Sequence, residues 1–315
     1  MQSISTVEKE SRQSSGWLRH SWSHLTNDIG WLGLGVWFII LMLFVLFFGL
    51  PMLWLLIAPS KNDPQLLALN PLALGSLQHY VQAFNNLSVF NNGQIIQWAY
   101  NSFYYVISSL VISMAITLPA GYILAVARFP GRSVILWMTL ITMMLPGSAL
   151  VLPLFLEMNL FHLVNTAWAV ILPAIFFPFG AYLTYIYFAT SLPKDILDAA
   201  RVDGCSEFDL FRFVGLPLCT PLIGLLAFIS FNNNWNNYFG PFVMLNDDKL
   251  YNMPVGIQAL ISGTTALRPT FGTDLPFHRA EAAMSGLMMV LPVVIVFIFS
   301  QRYVISGAFT GSVKG

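Results

Sequence analysis

"DAARVDGCSEFDLFRFVGLPL", residues 198–218, is the longest strongly amphipathic, charge-bearing stretch of a 315-residue chain that otherwise reads as lipid-soluble. Its residue order spells two short helices joined by a sharp turn. Upstream, Pro193 suits the first turn of a helix, where its missing N–H has no partner anyway. Ser191 is placed to cap that helix, and Asp195 favours the positive end of its dipole. Ala199 and Ala200 give it a flat patch poor in side chains. Gly204 is placed to end it in a left-handed conformation. "SEFD" then has the capping-box pattern, Ser206 with Asp209 three residues later. A second helix starts there and runs on through Leu216 and Pro217 into an apolar segment. Such a polar double helix between two apolar runs lies on a membrane face, either as a solvated connector or as a docking surface.

Composition sets the solvent. Apolar residues make up 57% of the chain and charged residues 9%, and the mean hydropathy is +0.70. Soluble domains carry about 25% charge, and a fold of this size could not hide so much apolar surface from water. Basic and acidic residues balance at 14 each, which gives no footprint for nucleic acid. A crossing helix needs about 20 apolar residues. Six stretches qualify: 31–58, 98–126, 134–156, 164–190, 216–238 and 282–301, none holding an Asp, Glu, Lys or Arg. The fold class expected is therefore an all-α membrane protein with six transmembrane helices. Residues 1–30 form an N-terminal tail with no cleavable-signal pattern, so the first span reads as retained. Residues 59–97 form an external loop, 98–303 a core bundle with the loop 191–215 and the external segment 239–281, and 304–315 a C-terminal tail.

Six spans put both termini on one side. That side holds Lys9, Arg12, Arg19, Arg128, Arg132, Lys194, Arg201, Arg212, Arg302 and Lys314; the other holds Lys61, Lys249, Arg268 and Arg279. The asymmetry places the termini and the 198–218 stretch in the cytoplasm. Cys205 and Cys219 fall on the same side, so reduced thiols are expected. Within the external loop, "LQHYVQAF" reads as a short surface helix. "RFPGR", 128–132, reads as a tight turn between spans two and three. Prolines 51, 119, 146, 153, 173, 178, 221 and 292 fall inside the spans; they read as kinks whose freed carbonyls neighbouring helices satisfy, or as hinges of a moving transporter.

Candidate chemistry is sparse. The histidines, His20, His24, His79, His162 and His278, are scattered without metal-ligand spacing, and no cofactor is expected. A secondary transporter needs ionisable groups inside the membrane, which the six stretches lack, although sodium can use backbone carbonyls. A channel needs a polar or charged ring, and no such pattern occurs. "FNNNWNNYFGPF" stands out near the end of span five. Its amides suit hydroxyl groups and its aromatic rings suit apolar sugar faces, so Trp235, Asn236, Asn237 and Tyr238, with Asn101 and Tyr104 at the mouth of span two, are the candidate substrate path. Interfacial aromatic belts and interhelical amide bonds are the alternative explanation.

The 198–217 stretch resembles the E-A-A loop of the membrane subunits of bacterial ABC importers: E-A-A, three residues, Gly, nine residues, I-x-L-P. Here it reads Asp198-Ala199-Ala200, Gly204, then Val214-Gly215-Leu216-Pro217, with the nine-residue gap intact. "HYVQAF", "NSFYYV", "MLPGSALVLPLF", "NTAWAVILP", "NNNWNNYFGPF" and the tail "QRYVISGAFTGSVKG" are similar to maltose-type carbohydrate permeases, on the subunit ending in V-K-G. Asp198 stands for the usual Glu, Val214 for Ile, and Asn237 where Asp is frequent; "TTALRPTFGTDLPFHR" is longer than usual. The resemblance implies a permease subunit of an ATP-driven importer for a sugar or oligosaccharide in the cytoplasmic membrane. Its implied partners are a second, related permease chain, two copies of an ATPase subunit and an extracytoplasmic solute-binding protein. It implies that Asp198, Ala199, Ala200, Arg201, Gly204, Leu216 and Pro217 couple to the ATPase, and that Gly311, Lys314 and Gly315 in the tail touch it. The chain has no G-x-x-x-x-G-K-[ST], so it is not expected to be an enzyme. An ion-coupled secondary transporter, or an ABC permease for a non-sugar solute, is the alternative.

Overall fold

A computed structural model describes residues 33–192, 194–263 and 278–309. The tail positions Gly311, Lys314 and Gly315, the residue Pro193 and most of the long external stretch around "TTALRPTFGTDLPFHR" lie outside the described residues. Among those described, regular structure is helical throughout.

Four helices are long and apolar enough to cross a membrane: α1 (Gly33–Ser60), α4 (Gln94–Val126), the rod Ala167–Ser191 and the last helix from Arg279. Two bent helix pairs are candidates for further crossings. α5 (Arg132–Met144) meets α6 (Gly147–Leu160) at 109°, and α10 (Glu207–Leu218) meets α11 (Thr220–Trp235) at 77°. Among the described residues the count is four single spans, or up to six if each bent pair is one span. The third and fifth apolar stretches, in which Pro146 and Pro221 are expected to kink the helix, fall on these bent pairs. The Ala167–Ser191 rod is itself interrupted between α7 (Ala167–Ile175) and α8 (Pro178–Ser191). The short helices are α2 (Asp63–Ala68), α3 (Leu77–Val89), α9 (Lys194–Val202), α12 (Phe239–Met244) and α13 (Met253–Gly263); α14 is Arg279–Phe309. Helical bounds also admit charge that the apolar stretches left out: Glu157 lies in α6, and Arg279 and Glu281 open α14.

Prolines take two roles. Pro119, Pro153, Pro173 and Pro292 sit inside helices. Pro146 is an N-cap, while Pro178 and Pro221 start helices, where the missing N–H costs nothing. Ser191 is the last residue of α8.

α4 is the axis of the molecule. At 1.5 Å per residue its 33 residues span about 50 Å, enough to cross a bilayer with its headgroups. It packs against α7, α8 and α11, and α11 packs on α14. At one end Ile95 and Trp98 of α4 join Leu87, Ile257 and Met284 in a buried cluster that holds α3 and α13 to α14. At the other end Leu118 and Tyr122 join Phe188, Leu197, Leu210, Phe211 and Leu226. This second cluster fastens the 198–217 loop to the bundle.

Candidate functional site

The first candidate is the loop itself. α9 ends in a Schellman motif: the Cys205 N–H donates to the Ala200 carbonyl at 3.0 Å and the Gly204 N–H to the Arg201 carbonyl at 3.1 Å. Gly204 has φ +86. Ser206 then caps α10. Its Oγ accepts from the Asp209 N–H at 3.2 Å, and Asp209 Oδ2 accepts from the Ser206 N–H at 3.3 Å. Both local devices match the expectation from sequence. Arg201 adds a staple across the turn, donating from Nη1 to Asp198 at 2.8 Å and from Nε to Glu207 at 2.9 Å. Hydrogen bonding to Glu207, above all, raises the Arg201 pKa from its ordinary value.

Burial divides the loop into two faces. Leu197, Leu210 and Phe211 point into the bundle, whereas Asp198, Ala199, Val202 and Phe208 are exposed. Val202 is 88% exposed and Phe208 66%, so an apolar strip flanks the turn on the outer face. α10 widens to a π-helical coil over Leu210–Gly215 and stops at a bend. There Pro221 lacks the N–H that would reach the Pro217 carbonyl, and the Thr220 hydroxyl takes its place at 2.8 Å. The Leu218 carbonyl accepts from Tyr187 Oη, also at 2.8 Å. Leu216 is half-buried and Pro217 exposed at this elbow.

The second candidate is a cavity of about 520 Å³ between α6, α7, α11 and α12. Ser230, Asn233, Asn234 and Asn237 line it from α11 and the residues after it, facing Ser148, Pro173 and Phe177. The spacing i, i+3, i+4, i+7 is one helical face. Asn234 Nδ2 donates to Ser230 Oγ at 3.3 Å, and the Asn237 carbonyl accepts from Asn252 Nδ2 at 2.8 Å. A larger apolar cavity of about 1120 Å³ adjoins it and shares Gly147, Pro173, Phe177 and Asn233.

The other residues read from the amide-rich segment lie elsewhere. Trp235 is 1% exposed, donates from Nε1 to the Met289 carbonyl at 2.9 Å and stacks on Phe231; it locks α11 to α14. Asn236 is exposed and bonds Asn232. The Tyr238 ring stacks on Phe242. On α4, Tyr104 is exposed beside Tyr100. Asn101 is buried and donates to the carbonyls of Lys249 and Tyr251 at 2.7 and 2.9 Å. It belongs to a strap with Trp98, Ser102 and Tyr105, which bond the Asp248 carbonyl, the Met253 N–H and the Leu250 carbonyl. Of the six path residues, only Asn237 reaches the cavity wall. Ser230, Asn233 and Asn234 are the ones the sequence reading passed over, although their helical spacing was there to be counted.

An all-α bundle of long apolar helices, with a capped polar loop on one end and a mostly apolar cavity carrying a few amides between its helices, is the architecture of a multi-span membrane protein. Residues 117–308 match the family described as the inner membrane component of binding-protein-dependent transport systems, and the chain belongs to that family. It is a permease, a transport component and not an enzyme, so the ion-coupled secondary transporter kept open by sequence gives way. The arabinooligosaccharides transport system permease protein AraQ of Bacillus subtilis (strain 168) is 34% identical, with 90% of this chain and 96% of that protein covered. The diacetylchitobiose uptake system permease protein NgcG of Streptomyces coelicolor is 28% identical over 84% of this chain and 83% of that protein. The fold is shared with a bacterial ABC transporter involved in import of the acidic polysaccharide alginate: TM-score 0.72 at 19% identity, covering 85% of this chain and 95% of that one.

Proposed function

We propose that this chain is one of two related permease subunits of an ATP-driven importer for a neutral oligosaccharide. The names of its relatives, which carry arabinooligosaccharides and diacetylchitobiose, support the substrate class. The observation that carries it within this chain is the amide face Ser230, Asn233, Asn234 and Asn237, which offers donors and acceptors suited to hydroxyl groups, beside apolar walls suited to ring faces. An extracytoplasmic solute-binding protein delivers the sugar; a related alginate transporter was solved with its periplasmic protein. On this reading there are six spans, both termini are cytoplasmic, and the 198–217 loop is a coupling helix. Ala199 and Ala200 allow close approach of an ATPase subunit, and Val202 and Phe208 supply apolar contact. The elbow at Leu216 and Pro217 passes the motion to α11. Gly311, Lys314 and Gly315 touch the two ATPase copies.

Purification in mild detergent, with every companion chain identified, is the first test. The expected companions are a second, different permease and a P-loop ATPase. The second test is kinetic. Asn233→Leu and Asn237→Leu are expected to raise the KM for oligosaccharide uptake by about ten-fold each, since one lost hydrogen bond costs ~1 to 1.5 kcal/mol. Unchanged uptake kinetics in both variants would remove this subunit from the sugar path.

A further inference from the structure

The end of the bundle that carries the loop holds a cavity of about 530 Å³ between α4, α8, α9 and the turn before α5. Its lining is part charged, with Arg128, Arg132, Asp198 and Arg201, and part apolar, with Val126 and Phe188 among its residues. The Arg201 charge is already shared between Asp198 and Glu207. Arg128 and Arg132 have no ion pair and no side-chain hydrogen bond among the described residues. Arg132 Nε is buried without an acceptor, and its guanidinium lies 5.5 Å from the centre of the Tyr185 ring. A buried N–H without a partner is costly and rare. The lining carries three arginines against one carboxylate, and that net positive charge selects for an anion.

The position selects the kind of anion. α4 ends at Val126, α8 at Ser191, and α5 begins at Arg132. The cavity therefore lies where the apolar spans stop, the depth of lipid headgroups. Guanidinium groups match phosphate oxygens in bidentate geometry, and the apolar part of the lining accommodates glycerol and the first acyl carbons. We infer that this cavity binds the phosphate of an anionic phospholipid headgroup, held by Arg128 and Arg132 against the first helix of the loop. The assignment holds whether or not the loop docks on an ATPase. Because Asp198 and Arg201 share the cavity wall, a bound lipid also fixes where α9 sits.

Native mass spectrometry of the assembled, detergent-solubilised complex tests the assignment, with phosphatidylglycerol, zwitterionic phosphatidylcholine and millimolar inorganic phosphate as separate probes. The wild type is expected to retain phosphatidylglycerol in preference to phosphatidylcholine. Each basic residue near a membrane surface contributes roughly a five-fold affinity for anionic lipid. Arg128→Gln or Arg132→Gln alone should thus lower retention about five-fold, and the double variant about thirty-fold. The Arg128→Lys, Arg132→Lys pair keeps the charge but not the bidentate geometry, and should retain more lipid than the glutamine pair and less than the wild type. If the double glutamine variant does not assemble, the single variants decide. Equal retention by wild type and glutamine variants overturns the assignment, as does equal retention of the zwitterionic lipid. Binding of inorganic phosphate without any retained lipid overturns the lipid source.

Discussion

Gly204 sits at φ +86 with nothing within 4 Å of where a Cβ would stand. Any cost of substitution there is therefore conformational rather than steric. Gly204→Val puts a β-branched residue in the left-handed region, at about 1–2 kcal/mol. Because the Schellman turn aims α10 away from α9, that strain re-aims the exposed strip of Val202 and Phe208. Gly204→Asn costs less, since Asn enters the left-handed region more readily. In proteoliposomes with partner subunits present, Gly204→Val is expected to lose most sugar-stimulated ATP hydrolysis and uptake while inserting normally. Gly204→Asn is expected to keep most of both. Full coupled transport by the Val variant would take the docking role away from the loop.

Helix packing is where sequence and structure part company. Continuous apolar runs identified the crossings, because a run that long has only lipid to face. The prolines marked where a helix could bend, and the breaks at Leu145, at Phe176–Phe177 and at Cys219 fall just ahead of Pro146, Pro178 and Pro221; what sequence could not show is which neighbours satisfy the freed carbonyls, as Thr220 and Tyr187 do at the elbow. The turn at Gly204 and the cap at Ser206 were legible because both are local, set by residues a few positions apart. Trp235 and Asn101 drew a functional reading as polar or aromatic residues in apolar runs. Their partners, the Met289, Lys249 and Tyr251 carbonyls, are distant in sequence and could not be read there. The close crossing of α4 and α8 was equally invisible. A Cβ on Gly121 would lie 2.4 Å from Thr184 Cβ and 3.0 Å from the Ala181 carbonyl oxygen. Gly121→Leu is therefore expected to destabilise the bundle by at least ~1–3 kcal/mol, seen as a lowered midpoint of thermal denaturation in detergent. Gly35→Leu, which meets nothing within 4 Å on α1, should leave the midpoint unchanged. Equal midpoints for the two variants would mean that α4 and α8 do not cross so closely.

Taken end to end, the bundle has two unlike poles. The pole built around Ile95, Trp98 and Met284 ties up two of its basic groups internally, Lys61 and Arg279. Lys61 is 1% exposed and donates to the carbonyls of Asn70 and Pro71 at 3.0 and 2.9 Å. Arg279 pairs with Asp63 at 3.2 Å. The pole built around Tyr122 and Phe211 instead presents Arg128 and Arg132 without ion pairs among the described residues, next to the staple of Arg201. Basic residues near the ends of spans bias a loop toward the cytoplasmic side, and the ten-to-four count along the sequence is the ground for the orientation we propose. The chain carries its own probe of this orientation. Cys205 is exposed in the turn of the loop, while Cys219 is buried with 0% exposure. A membrane-impermeant thiol reagent is expected to leave the chain unlabelled in intact cells and to label Cys205 in inverted vesicles. Cys205→Ser should abolish that labelling, since the buried thiol of Cys219 stays out of reach. Labelling of Cys205 from outside intact cells would invert the topology and, with it, the side on which an ATPase could meet the loop.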